Sequence, residues 1–153
     1  KTYPLHLISN QPKTRLHSQM DCGATSLSTK IQGREPAMLH PDDAAARGIR
    51  AGDVIKVFNA RGSCLAGAVV SEDVKPGVIQ LSTGACYDPE IPGDPTAMCK
   101  HGNPNVLTRD VGTSTLGQGP TAHSTLVDVA RFDAPLPPIT AFTPPPFVPK
   151  EAQ

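Results

Sequence analysis

Two stretches of this chain concentrate residue types suited to holding a polar ligand. The first, Lys1 to Met20, carries Lys1, Lys13, Arg15, His6 and His17 and no carboxylate, Asp21 being the first acid. A guanidinium fork matches a phosphate or a planar carbonyl edge through two parallel hydrogen bonds. Arg15, with His17 two residues on, therefore makes this end a candidate anion face. Side-chain amides offer a donor and an acceptor together, which suits buried heterocyclic edges. Gln11 and Gln19 fall in the same stretch, beside the hydroxyls of Ser9 and Ser18. A buried polar edge left without a partner costs about 1–3 kcal/mol, so a row of amides is a reasonable mark of such a site.

The second stretch is Gly84-Ala-Cys-Tyr-Asp-Pro89, continuing into His101-Gly-Asn-Pro-Asn-Val-Leu-Thr-Arg-Asp110 and Gly112-Thr-Ser114. Asn103, Asn105 and Gln118 are its amide candidates, although Gly-Asn-Pro-Asn equally suits a tight turn. Asp88 or Asp110 either accepts paired N–H donors from a ligand or belongs to a Tyr-Asp-Pro or Arg-Asp turn. Thr108, Thr113 and Ser114 are placed to donate to phosphate oxygens from loop positions. Arg15 also has an ordinary alternative, that of a solvated loop cation.

The elements that must position these loops are mostly strands. Residues 3–9 alternate apolar and polar side chains and end at Asn10-Gln-Pro12, so a strand feeds the first polar loop. Pro41-Asp42-Asp43 opens, and Gly48 closes, one short helix. Strands at 54–58 and 66–70 flank 59–62 as a hairpin, with Gly62 expected at positive φ, and 78–81 and 124–129 are two more strands. Together these suggest a small β-barrel with helical connections. Residues 83–119 lose apolar periodicity, and an irregular stretch of that length in a compact domain points to function. Beyond Phe132 seven of the 17 prolines crowd between Pro135 and Pro149. The expectation there is an extended tail, either draped over a larger parent or loose.

Composition narrows the classes. With 14 Lys+Arg against 14 Asp+Glu in 153 residues, net charge is zero, which disfavours a nucleic-acid partner. No apolar run is long enough to insert in a membrane. The chain reads as one soluble domain cut from a longer protein, a cytoplasmic parent being favoured over a periplasmic one. Cys22, Cys64, Cys86 and Cys99 form no C-x-x-C pair and are expected as free thiols. His40 and His123 read as surface or cap residues, and Gly117-Gln-Gly119 completes no dinucleotide fingerprint.

The two polar motifs, with Pro41-Asp-Asp-Ala-Ala-Ala-Arg-Gly-Ile49 and Gly52-Asp53 between them, resemble the C-terminal domain of the dimethyl sulfoxide reductase family, nearest to the biotin sulfoxide and trimethylamine N-oxide reductases. The resemblance spans about residues 3 to 132. It implies a mainly β fold, a six-stranded double-psi β-barrel over 1–132, followed by a proline-rich tail over 133–153. It further implies a cofactor-binding role toward a bis-molybdopterin guanine dinucleotide carrying molybdenum, in a parent that reduces S-oxides or N-oxides by oxygen-atom transfer with an external electron donor. The cofactor contacts it suggests are Ser9, Gln11, Arg15, His17, Ser18, Gln19, Asp88, Asn103, Asn105, Thr108, Asp110 and Gln118. The metal ligand is expected from an earlier domain, so no residue here is assigned as ligand or catalyst, and the chain alone is expected to be inert. Where the family carries Gly-Ala-Trp-Tyr-Asp-Pro, this chain has Cys86, which removes an aromatic surface bearing on substrate choice. Two other readings compete: a double-psi barrel acting as a non-catalytic binding module, and a self-cleaving barrel similar to the aspartate decarboxylases, for which Gly62-Ser63 is the only cue.

Overall fold

The computed structural model describes residues 2–144 and Phe147. Six strands close into a barrel: β1 (Leu5–Ile8), β2 (Pro36–Leu39), β3 (Val54–Phe58), β4 (Ser63–Val70), β5 (Val78–Leu81) and β6 (Thr125–Arg131). Their order around the barrel is β1-β5-β2-β4-β3-β6. The pairs β1–β5 and β2–β4 are parallel and the other four are antiparallel. Exchanging the first three strands for the last three maps this pairing onto itself, the pseudo-twofold of a double-psi barrel. The expected six-stranded barrel is thus the observed one.

Alternation explains the core. Leu5 and Leu7, Ala37 and Leu39, Ile55 and Val57, Ile79 and Leu81, and Val127 and Val129 all point inward and are buried, as period-two strands on a closed sheet require. Strand β4 departs from the pattern, being buried on both faces from Cys64 to Ala68. Its outer face is covered by chain returning from the loops. A Cβ on Gly67 would lie 2.2 Å from the Cβ of Ile31, and the Leu65 N–H donates to the Cys99 carbonyl at 2.8 Å.

Three sequence expectations shift. Strand β2 was not foreseen, since Pro36-Ala-Met-Leu39 is short, lacks β-branched residues and opens on proline. The hairpin stands, with β4 starting at Ser63, but Gly62 is not among the positive-φ residues. A glycine is needed there because a Cβ would sit 2.6 Å from the Val106 carbonyl oxygen. The short helix α2 (Pro41–Ala45) forms as expected, and His40 caps it by accepting the Asp42 N–H, the cap role anticipated for it. A further one-turn helix, α1 (Ala24–Leu27), lies in the first polar loop.

The tail is the largest change. Residues beyond 144, apart from Phe147, lie outside the described part, but the segment before them packs against the barrel. It leaves the barrel base, where the Phe132 N–H meets the Val54 carbonyl, and climbs the outer wall. The Pro137 carbonyl accepts from the Arg34 guanidinium at 2.7 Å, and the Phe142 ring stands edge-on to His101, 5.1 Å between centroids.

Candidate functional site at the barrel mouth

Strand direction brings the two polar loops together. β1, β3 and β5 run one way and β2, β4 and β6 the other. The β1–β2 connection (9–35), the β3–β4 turn and the β5–β6 connection (82–124) therefore leave the same end, the barrel mouth. All twelve sequence-predicted residues fall on the first or the last of these connections. So, among the described residues, do the four non-glycine residues of left-handed backbone, His17, Met20, Gln32 and Gln118. Such conformations cost on the order of 1–3 kcal/mol each and cluster where surrounding structure enforces a ligand-binding geometry.

One group of candidates is contiguous. The Gln11 side chain grips His17 twice: its Oε1 accepts the His17 N–H at 3.1 Å and its Nε2 donates to Nδ1 at 2.9 Å. Ser18 and Gln19 continue the tight turn Leu16–Gln19 and are exposed. Gly84 lies against this turn, so close that a Cβ would come 1.9 Å from the His17 carbonyl oxygen. Ser9 is half-buried at the end of β1.

A second group lies at the β3–β4 turn. Asn103 caps the 3-10 turn Pro104–Val106 by accepting the Asn105 N–H at 2.9 Å, so the turn-shaping alternative holds for its carbonyl oxygen. Asn105 is exposed, and Thr108 donates to its carbonyl at 3.2 Å. Asp110 and Gln118 are exposed on the outer part of the same connection, where Ser114 accepts the Gly117 N–H at 2.8 Å.

Arg15 and Asp88 do not open onto this mouth. The Arg15 side chain is 0% exposed, with its guanidinium 3.1 Å from Glu35, 3.4 Å from Asp21, and donating to the Thr83 carbonyl at 3.1 Å. Lys30 completes the cluster, 2.7 Å from Asp21 and 2.8 Å from Glu35. The acid-free start of the chain is therefore not a free cationic face, because Asp21 and Glu35 fold back to neutralise Arg15; exposed Lys13 remains. Asp88 is buried too. Its Oδ2 accepts the Thr140 N–H at 2.7 Å, and its Oδ1 accepts the Thr140 hydroxyl and faces Lys100 at 3.2 Å. Both oxygens are occupied within the chain.

Buried charge shifts the titrations. Burial pushes the Asp21 carboxyl up, but the Lys30 ammonium, the Cys86 N–H at 2.9 Å and the Arg15 charge outweigh it and hold it at about 2. Burial also raises Asp88, and the Thr140 hydroxyl and N–H together with Lys100 bring it below the usual carboxylate range. His101 is driven down by burial and by Lys30, so it is neutral, donating through Nδ1 to the Cys86 carbonyl at 3.0 Å. Its Nε2 has no partner among the described residues. Burial and the neighbouring Asp21 raise the Cys86 thiol, and all four cysteines are free. Sequence reasoning missed Asp21, Lys30, Glu35, Lys100 and His101, whose pairings follow no regular spacing and mostly join different segments.

Next to the mouth, a groove of about 510 Å3 runs over the outer face of β5, β2 and β4, and its lining includes Asn10, Lys13, Thr14, Met38 and Gln80. Among the described residues no helix is long and apolar enough to cross a membrane.

Comparison with known proteins agrees with this geometry. The family model "Molydopterin dinucleotide binding domain" matches residues 5–126. Trimethylamine-N-oxide reductase 1 of Escherichia coli K12 is 52% identical over 140 residues, 90% of this chain and 16% of that protein. Biotin sulfoxide reductase of Cereibacter sphaeroides is 51% identical over 125 residues, 82% and 16% respectively. Dimethyl sulfoxide/trimethylamine N-oxide reductase of Rhodobacter capsulatus is 43% identical over 143 residues, 94% and 17%. The chain thus spans about a sixth of these relatives' length. Acetylene hydratase from Pelobacter acetylenicus superposes with a TM-score of 0.66 at 20% identity, over 85% of this chain and 18% of that one, a likeness of fold alone. A six-stranded barrel with both polar loops at one mouth, matched over residues 5–126, makes this chain a member of the molybdopterin dinucleotide binding domain family.

Proposed function

We propose that this chain is the cofactor-capping domain of a molybdenum-dependent reductase of S-oxides or N-oxides, and that its mouth closes over a bis-molybdopterin guanine dinucleotide. The observation that carries the reading is the convergence of two amide- and hydroxyl-rich loops at one barrel end, held against each other by a glycine that admits no side chain. The donor set fits the group. The exposed Ser18, Gln19 and Asn105, with the free amide nitrogen of Asn103, offer paired donors and acceptors for pterin, sugar and guanine edges, and Lys13 supplies a cation for phosphate. Gln11 orients His17, and Thr108, Asp110 and Gln118 form the outer rim. Arg15 and Asp88 act from behind, fixing the loops.

When bound, the group supplies the two-electron redox chemistry of oxide reduction, while the protein contributes binding, orientation and exclusion of water. The metal ligand, the electron donor's docking site and most of the substrate pocket come from the rest of the parent, and the chain alone is inert. Free thiols, including exposed Cys22, favour a reducing compartment such as the cytoplasm for that parent.

The test is cofactor retention in the full-length parent. His17→Ala and Asn105→Ala alter exposed side chains and leave the barrel core intact, so thermal stability should hold. Molybdenum and guanine dinucleotide content should each fall severalfold, on the order of what one or two lost hydrogen bonds imply. Wild-type content of both in both variants would overturn the reading.

A further inference from the structure

The proline-rich segment makes contacts that neither the barrel nor the mouth requires. Prolines 135, 137 and 138 carry no N–H, so an extended strand of them lies on a surface with few donors left unsatisfied. What it offers instead is carbonyls and a few side chains, each meeting a buried polar group. The Pro137 carbonyl meets the Arg34 guanidinium at 2.7 Å. Thr140 donates twice to Asp88 and accepts from Lys100 Nζ at 2.9 Å. Phe142 closes over His101.

These contacts converge on one mouth loop. Asp88 lies two residues after Cys86, and its carbonyl accepts the Lys100 N–H at 2.7 Å. The next residue, His101, is 0% exposed and donates through Nδ1 to the Cys86 carbonyl, and its own carbonyl accepts the Glu35 N–H at 3.1 Å. With Nδ1 as the donor, Nε2 is a buried lone pair without a partner among the described residues, a cost that the packing of the segment over the ring has to offset. The Cys86–Asp88 backbone is thus gripped by Asp21 on one side and by residues that the segment covers on the other.

We propose that residues 134–142 are a built-in strap that fixes the Cys86–Asp88 loop through His101, making His101 a positioning residue of the barrel mouth. Lifting the strap loosens the loop and leaves the barrel closed. The inference does not depend on what the mouth binds.

The chain's four cysteines report on this directly. Cys86 is half-buried in the loop, whereas Cys64 and Cys99 are 0% exposed in the core. Peptide-level mass spectrometry of iodoacetamide labelling of the 153-residue chain separates the two. A chain ending at Asp133, and the Phe142→Ala and Thr140→Ala variants, should alkylate Cys86 faster, on the order of fivefold for one lost hydrogen bond of about 1 kcal/mol, with Cys64 and Cys99 still protected. His101→Phe, which keeps the bulk and loses the donor, should do the same, while His101→Gln, which can donate again, should restore the slow rate. An unchanged Cys86 rate in Thr140→Ala and His101→Phe, with the core thiols protected, would overturn the proposal. Should truncation expose the core thiols as well, the point variants carry the decision.

Discussion

Replacing Asp21 with asparagine should test the buried charge cluster more sharply than any other single change. The wild-type cluster sets two cations, Arg15 and Lys30, against two carboxylates, Asp21 and Glu35, with all four side chains 3% exposed or less. Asp21→Asn keeps shape and volume but leaves one positive charge uncompensated and turns an amide donor toward either Lys30 or the Cys86 N–H. Breaking a buried pair in this way costs about 3–5 kcal/mol. The same carboxyl sets part of the acid limb. It is held at about 2 against an ordinary 3.8, a difference of about 2.5 kcal/mol, and Asp21 is 1% exposed, so solvent screening removes little of it. Because the folded pKa is the lower one, that stability is complete above about pH 5 and fades as pH falls toward 2, with about 1 kcal/mol gone by pH 3. Urea unfolding of both proteins at pH 7 and pH 3 gives four stabilities. The variant should be less stable at pH 7, and its loss between the two pH values should be smaller than wild type's by about 1 kcal/mol. A variant within about 1 kcal/mol of wild type at pH 7, or one with the wild-type pH dependence, would refute the reasoning.

Two further changes probe the mouth. Gly84→Ala should be far costlier than Gly77→Ala: both glycines have positive φ, but only at Gly84 does the new Cβ strike backbone, whereas at Gly77 nothing lies within 4 Å. Gly77→Ala should cost about 1 kcal/mol and Gly84→Ala some 1–3 kcal/mol beyond it, as compared by thermal unfolding, and equal losses would contradict the close approach. Asn59 donates to the Leu107 and Leu126 carbonyls at 2.9 and 3.1 Å and accepts the Arg61 N–H at 2.9 Å. Asn59→Ala should therefore lower stability by about 2 kcal/mol, two or three modest hydrogen bonds, and a calorimetric change below about 0.5 kcal/mol would show the junction to be redundant.

Local physics made a good part of this protein legible. Period-two alternation marks strands wherever one face must be dry, which is why β1, β3, β5 and β6 stand out in the sequence. Helix punctuation is equally local, so Pro41, Asp42, Asp43 and Gly48 delimit α2 and leave His40 as its cap. The two polar loops are readable because an ordered run of Gln, Asn, Arg and His is not produced by strand or helix propensity.

What the sequence could not decide is which of those groups meet one another. Strand β2 starts with proline and carries Ala-Met-Leu, residues at home in a helix; it is a strand because β4 and β5 pair with it on both edges. Gly62 looks like a turn glycine by neighbourhood, yet it is required by the Val106 carbonyl, far along the chain. Arg15 has the composition of an anion-binding residue, but Glu35 and Asp21 neutralise it once the loop folds back on β2. Asp88 sits in a motif rich in ligand-type residues, and its oxygens are taken by Thr140 from a tail for which composition indicates only an extended chain. A side chain's type sets what it can bind, and this much is fixed by sequence. Whether its charge faces a ligand or another residue depends on barrel closure, which brings together groups dozens of residues apart, and only the tertiary structure decides it.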